Sequence, residues 1–236
     1  MTTALITGAN KGLGRETARR LADRGWTVLL GARDPERGRA AAADLATGGA
    51  DVRFLALDVT DDASVDAAAD EVARTVGHLD VLVNNAGVLG PLAEPTATAP
   101  ADFLATFGVN LLGPVRVTRA FLPLLEKSDL PRIVMVSSGL GSLTVTTDPD
   151  RLESTLHGLV YPSSKAALNM VTSQYAKVLP GWKVNAVDPG YTATDLNGHS
   201  GHQSVEEGAT AIVAMATVGA DGPTGGFFDM HGPVPW

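Results

Sequence analysis

Short apolar runs recur along the chain, with longer mixed segments between them. The runs are 3–7 (TALIT), 26–32 (WTVLLGA), 52–59 (VRFLALDV), 79–83 (LDVLV), 132–137 (RIVMVS), 182–187 (WKVNAV) and 226–230 (GFFDM). In several of them apolar residues follow one another instead of alternating, as in strands covered on both faces of a parallel sheet. Helical patterns fill the intervals at 12–24, 35–46, 62–76, 100–127, 161–179 and 204–218. Strand–helix alternation of this kind builds βαβ units with right-handed crossovers. It predicts an α/β fold, a doubly wound parallel sheet of about seven strands with helices on both faces. Two helix starts are marked locally: Asp34 precedes Pro35 as an N-cap precedes a first-turn proline, and 204–207 (SVEE) is a capping box. Three segments break the alternation, at 90–100, 138–160 and 195–203. Loops of that length usually form lids or site walls. The whole chain, 1–236, reads as one domain with substrate loops at about 138–160 and 191–203.

The first strand runs into Thr7-Gly8-Ala9-Asn10-Lys11-Gly12-Leu13-Gly14 and then a helix. Gly8 permits the tight turn, Gly12 lets backbone approach a pyrophosphate, and Gly14 lets helix and strand pack closely. Free N–H groups at the helix N-terminus suit phosphate. The spacing is G-x3-G-x-G, and its place between first strand and first helix makes it a dinucleotide turn of a Rossmann-like fold. The second strand ends at Gly31-Ala32-Arg33-Asp34. A cation there suits the 2′-phosphate of NADP and a carboxylate the ribose of NAD. Arg33, with Lys11 in reach, favours NADP, while Asp34 is spent on the N-cap. Asp58, next to Val59 at the end of the third strand, is either an acceptor for the adenine amine or a turn residue.

Tyr161 and Lys165 in 161–165 (YPSSK) stand four apart and so share a helical face. A free phenol, with pKa near 10, is a poor acid–base group at neutral pH, and a neighbouring ammonium lowers it. Other polar residues gather at the carboxyl ends of the strands, where open α/β sheets bind ligands: Asn84, Asn85, Ala86 and Gly87 after the fourth, Ser137 and Ser138 after the fifth, and 188–195 (DPGYTATD) after the sixth. Asn110 sits within an otherwise apolar helical stretch.

With these motifs in this order the chain resembles the short-chain dehydrogenase/reductase family of the single-domain kind. The residues that carry the resemblance are TGANKGLG at 7–14, NNAG at 84–87, Asn110, VSS at 136–138, YPSSK at 161–165 and PGYTATD at 189–195. NKGLG, the Ala-Arg-Asp after the second strand, EEGA at 206–209 and Trp236 are similar to the NADPH-dependent carbonyl-reductase branch. The resemblance implies that Tyr161 is the general acid, that Lys165 lowers its pKa and bonds the nicotinamide ribose, that Ser138 orients the carbonyl, and that Asn110 holds a relay water. It implies that Asn84, Ala86, Gly87, Pro189, Gly190, Thr192 and Thr194 line the cofactor beside Gly8, Asn10, Lys11, Gly12, Leu13, Arg33, Asp58 and Val59. The separation of Ser138 and Tyr161 is longer than usual in the family, and the extra residues, 146–159, would cover the substrate or a subunit face.

Composition narrows the partners. The chain has 18 Lys+Arg against 26 Asp+Glu, a net charge of −8, and no basic run, which argues against nucleic acid or an anionic membrane as partner. Without cysteine, disulfides, thiolate catalysis and Cys-ligated zinc are excluded. No apolar run reaches the roughly 18 residues of a membrane span. The N-terminus does not read as a signal peptide, so the expected setting is cytoplasmic. His199 and His202 lack partners at metal-ligand spacing, and no metal is expected. The expected function is hydride transfer from NADPH to an aldehyde, ketone or quinone-like carbonyl. An NAD(P)-dependent alcohol dehydrogenase working oxidatively, or a catalytically silent NADP-binding regulator, are the alternatives. The expected partner is a small carbonyl or alcohol; monomer and homo-oligomer stay open.

Overall fold

The computed structural model describes residues 1–236. In chain order the elements are β1 (Thr3–Ile6), α1 (Gly12–Ala22), β2 (Thr27–Ala32), α2 (Pro35–Leu45), β3 (Val52–Ala56), α3 (Asp62–Thr75), β4 (Val81–Asn84), α4 (Ala101–Phe107), α5 (Gly113–Leu125), β5 (Arg132–Val136), α6 (Leu143–Thr147), α7 (Val160–Val178), β6 (Lys183–Val187), α8 (Val205–Ala216) and β7 (Phe227–Phe228). All seven strands form one sheet of order β3-β2-β1-β4-β5-β6-β7, and every pairing is parallel.

The unbroken apolar runs have the expected cause. Neighbouring residues of one strand serve opposite cores. Ile6, Leu30 and Val83 pack with Leu21 of α1 and Ile212 of α8 on one face. Leu5, Leu29 and Leu82 pack with Phe121 of α5 and Leu168 of α7 on the other. The chain winds outward from β1 through β2 to β3, then returns to β4 on β1's other side. The crevice beyond the carboxyl ends of β1 and β4 is therefore the switch point where such sheets take ligands.

Both marked helix starts are present. The Asp34 carboxylate accepts from the N–H groups of Glu36 and Arg37, and Ser204 and Glu207 cap each other reciprocally. Three expectations need correction. The stretch 100–127 is not one α-helix: Gly108–Leu112 forms a π turn between α4 and α5. Pro114, with no N–H, cannot donate to the carbonyl of Asn110 as an α-helix requires. The third strand stops at Ala56 because Asp58 turns the chain, its carboxylate accepting from the Thr60 N–H and hydroxyl. The last strand has only two residues because Asp229 forms a turn with the N–H groups of His231 and Gly232. Within 138–160, read as irregular, lie the short helix α6 and 3-10 turns at Gly139–Gly141 and Leu152–Thr155.

Candidate active site

A cleft of about 600 Å³ opens at the switch point. The glycine turn forms its floor. Gly8 and Gly12 have φ of +63° and +54°, which only glycine adopts without strain. A Cβ on Gly14 would lie 2.5 Å from the Asn85 amide and 2.9 Å from the backbone of Ala9, so α1 can sit against β1 only with glycine there. Thr7 and Asn85 hold the turn to β4: the Thr7 hydroxyl accepts from the N–H groups of Asn85 and Ala86, and the Asn85 amide donates to the carbonyls of Thr7 and Gly8. Asn85 was not singled out among the candidate site residues. The alternation of the strand was the available signal, since it directs adjacent asparagines to opposite sides.

The same alternation corrects Asn84. It is 2 % exposed and turned away from the cleft, its amide donating to Thr118 on α5 and to the Met135 sulfur. Thr192 is likewise buried, with its hydroxyl spent on the Pro189 carbonyl, and Gly190 supports the same turn at φ +71°. Gly8, Asn10, Lys11, Gly12, Leu13, Arg33, Asp58, Val59, Ala86, Gly87, Tyr161, Lys165, Pro189 and Thr194 all line the cleft. Arg33 enters no ion pair and projects at the end of β2, where Asp58 faces it. Lys11 reaches across the mouth instead and donates to the Asp195 carboxylate at 2.6 Å; His199 contacts the same carboxylate at 2.8 Å. Asp195 and His199 were not among the expected site residues. Glycine where backbone must approach a ligand, an open helix N-terminus and an unpaired arginine fit a dinucleotide carrying a 2′-phosphate.

At the inner end of the cleft, α7 carries Tyr161 and Lys165. Lys165 Nζ lies 5.6 Å from the centre of the Tyr161 ring and donates to the Val136 carbonyl at 2.7 Å. Ser138 stands near the Tyr161 hydroxyl, and its Oγ accepts from the N–H of Leu140. Asn110 is fully buried. Its amide donates to the Val88 carbonyl and to Ser164 Oγ, and its Oδ1 accepts from the Val88 N–H. Ser164 donates in turn to the Tyr161 carbonyl, so the π turn and the start of α7 are tied together. The expectation that Lys165 lowers the tyrosine pKa is not met. Burial pushes the Tyr161 phenol up to about 12, against a smaller lowering by nearby Ser138, and burial pushes Lys165 down to about 8.

The family model for short chain dehydrogenases matches residues 2–204. The chain belongs to the short-chain dehydrogenase family. Among its curated relatives, the (+)-neomenthol dehydrogenase of Arabidopsis thaliana is 35% identical, with 95% of each chain covered. Among solved structures, salutaridine reductase from Papaver somniferum superposes with a TM-score of 0.84 at 32% identity, covering 96% of this chain and 99% of that one. An NADPH-bound carbonyl reductase from chicken fatty liver superposes with a TM-score of 0.88 at 27% identity, covering 100% and 99%. As a short-chain dehydrogenase this protein is an oxidoreductase.

Proposed function

We propose that this short-chain dehydrogenase reduces the carbonyl of a moderately apolar aldehyde, ketone or quinone-like compound, with Tyr161 as the proton donor. The reading is carried by one observation: a half-buried phenol, with the buried Lys165 amine 5.6 Å from its ring centre and Ser138 near its hydroxyl, lines the cleft that the glycine turn opens. The names of the relatives, a neomenthol dehydrogenase, a salutaridine reductase and a carbonyl reductase, support it.

NADPH, when bound, supplies the hydride. Gly12, Leu13 and the first turn of α1 would take its pyrophosphate, Arg33 its 2′-phosphate, and Asp58 and Val59 its adenine. Lys165 would bond the nicotinamide ribose and Thr194 the carboxamide. Ser138 orients the substrate carbonyl and donates to the oxygen as negative charge develops there. Tyr161 gives that oxygen its proton. Burial keeps the phenol protonated at neutral pH, the form a proton donor needs. Lys165, 5.6 Å from the centre of the Tyr161 ring, is the nearby cation that would feed a proton back to the phenol. The Asn110 carbonyl, without an α-helical donor because of Pro114, can accept from a water that leads to Lys165. Ammonium is full below about 8 and lost above it, so reduction should be fastest below that pH and decline as pH rises through it. A cytoplasmic setting belongs to the same proposal.

The test is titration with NADPH and NADH, followed by nicotinamide fluorescence, and then NADPH loss on adding menthone or another cyclic ketone. Selective NADPH binding and ketone-dependent loss are expected. Preference for NADH would favour an oxidative alcohol dehydrogenase, and binding of neither would favour a silent regulator.

A further inference from the structure

Ser138 and Tyr161 belong to different elements. Ser138 follows β5 and opens the 3-10 turn Gly139–Gly141, while Tyr161 is in the first turn of α7. Whatever ties that turn to that helix therefore sets where the serine hydroxyl stands relative to the phenol. The turn is tied to α7 in two ways. It lies directly on the helix: a Cβ on Gly141 would stand 2.8 Å from the Cβ and carbonyl carbon of Lys165 and 3.0 Å from the Ala166 nitrogen. The other tie is Asn169.

Asn169 continues the stripe of Tyr161 and Lys165, one turn further along α7. Asparagine is a poor residue for a helix interior, and here it follows Ala166, Ala167 and Leu168. It is 5 % exposed and does not line the cleft. Its amide makes one hydrogen bond to each end of the turn. Oδ1 accepts from the Ser137 hydroxyl at 2.6 Å, and Nδ2 donates to the Gly141 carbonyl at 3.1 Å. A carbonyl only accepts, which fixes which end of the amide faces Gly141. Ser137 directly precedes Ser138, so the amide brackets Ser138, Gly139 and Leu140 between its two partners. Inside the bracket the Gly141 N–H donates to the Ser138 carbonyl at 2.8 Å, and the Ser142 N–H donates to the Gly139 carbonyl at 3.0 Å. Beyond it the fully buried Ser142 donates to the Pro235 carbonyl at 2.7 Å.

We propose that Asn169 is a positioning residue of this site: by holding Ser137 and Gly141 it fixes the turn that carries Ser138 onto the helix that carries Tyr161. The proposal rests on the reading of Ser138 as the group that orients the substrate carbonyl. Outside the cleft lining, Asn169 acts through Ser138 alone.

The experiment is amide hydrogen exchange on the protein alone, native against Asn169→Leu. Leucine has a similar size and is the better helix former, so α7 keeps its packing while both hydrogen bonds go. Exchange at the Gly141 and Ser142 N–H groups should rise about tenfold, with β5 and the rest of α7 unchanged. Unmoved exchange at the turn, or an equal rise across β5 and α7, overturns the proposal. Should Asn169→Leu fail to fold, Ser137→Ala removes one of the two bonds and only a hydroxyl; it should raise exchange at the same two amides about threefold, and an unmoved turn there overturns the proposal too. A kinetic cycle then reads the placement of Ser138. With menthone as the ketone, Asn169→Leu should lower kcat about tenfold at unchanged NADPH affinity, and should lower it no further in a Ser138→Ala background. An unchanged kcat in the single variant, or a second tenfold loss in that background, overturns the proposal. The exchange measurement needs neither cofactor nor substrate. A native protein that turns over no ketone would sink the catalytic reading and leave exchange to decide the role of Asn169 in the turn, so the two failures are distinct.

Discussion

The cofactor wall of the cleft and the segment before α7 are built by different means. The cofactor wall, from Thr7 to Gly14 and along β4, is set by backbone. Its glycines leave no room for a Cβ at Gly14, and its polar side chains are spent on holding main chain. The segment 143–159, α6 and the turn after it, lies outside the cleft lining and is set by side chains on local structure. Leu143, Leu152, Leu156 and Leu159 are each at least 40 % exposed, and the hydroxyls of Thr146, Thr147, Ser154 and Thr155 bond carbonyls three or four residues back. The first is the part proposed to hold the cofactor. The second can change its side chains without moving the sheet, which is the arrangement expected where a scaffold is constant and a substrate is not.

The contrast can be broken at Tyr161, where the chain leaves that segment and enters the cleft. Tyr161→Phe should lower turnover by about 10²–10⁴-fold while leaving NADPH affinity nearly intact, measured by NADPH loss and by fluorescence titration. On the cofactor wall, Gly14→Ala forces a Cβ into Asn85 and Ala9. It should cost about 1–3 kcal/mol of stability and weaken NADPH binding, read by thermal melting with and without cofactor. An unchanged melt would mean that α1 can shift and the wall is softer than it looks. Arg33→Asp should reduce NADPH affinity by roughly tenfold to a hundredfold, the scale of a lost charged hydrogen bond, and turn preference toward NADH. At the rim, Asp195→Asn should change the rate of NADPH release by a few-fold at most, because Lys11 and Asp195 are both more than half exposed and water screens them. A large effect there would mean that the rim moves as part of binding.

Sequence reasoning reached the fold because its signals are local. Apolar runs without alternation marked buried strands, and Asp34-Pro35 and Ser204 through Glu207 marked helix starts that the backbone does use. It placed the Tyr161–Lys165 pair on one helix because i,i+4 spacing needs no knowledge of the rest. It failed where a side chain's direction or dielectric decides. Asn84 and Asn85 are equivalent in composition, yet strand geometry gives one to the core and the other to the glycine turn. The pKa of Tyr161 follows from how deeply the phenol is enclosed, and spacing to Lys165 does not report that. The π turn at Asn110 depends on a proline four residues on whose effect is felt only once a helix exists.

The two-residue strand β7 has a consequence for how this protein behaves at high concentration. After Asp229 the chain doubles back, Phe228 bridges antiparallel to Pro233, and the N–H of Val234 donates to the Phe227 carbonyl. That margin of the sheet is thereby occupied by the chain's own tail, and Pro233 and Pro235 present no N–H to a visitor. A second molecule cannot add a strand there. Self-association by sheet extension, the common route to aggregates in proteins with long open edges, is closed on this side, and any assembly has to form through helix or loop surfaces.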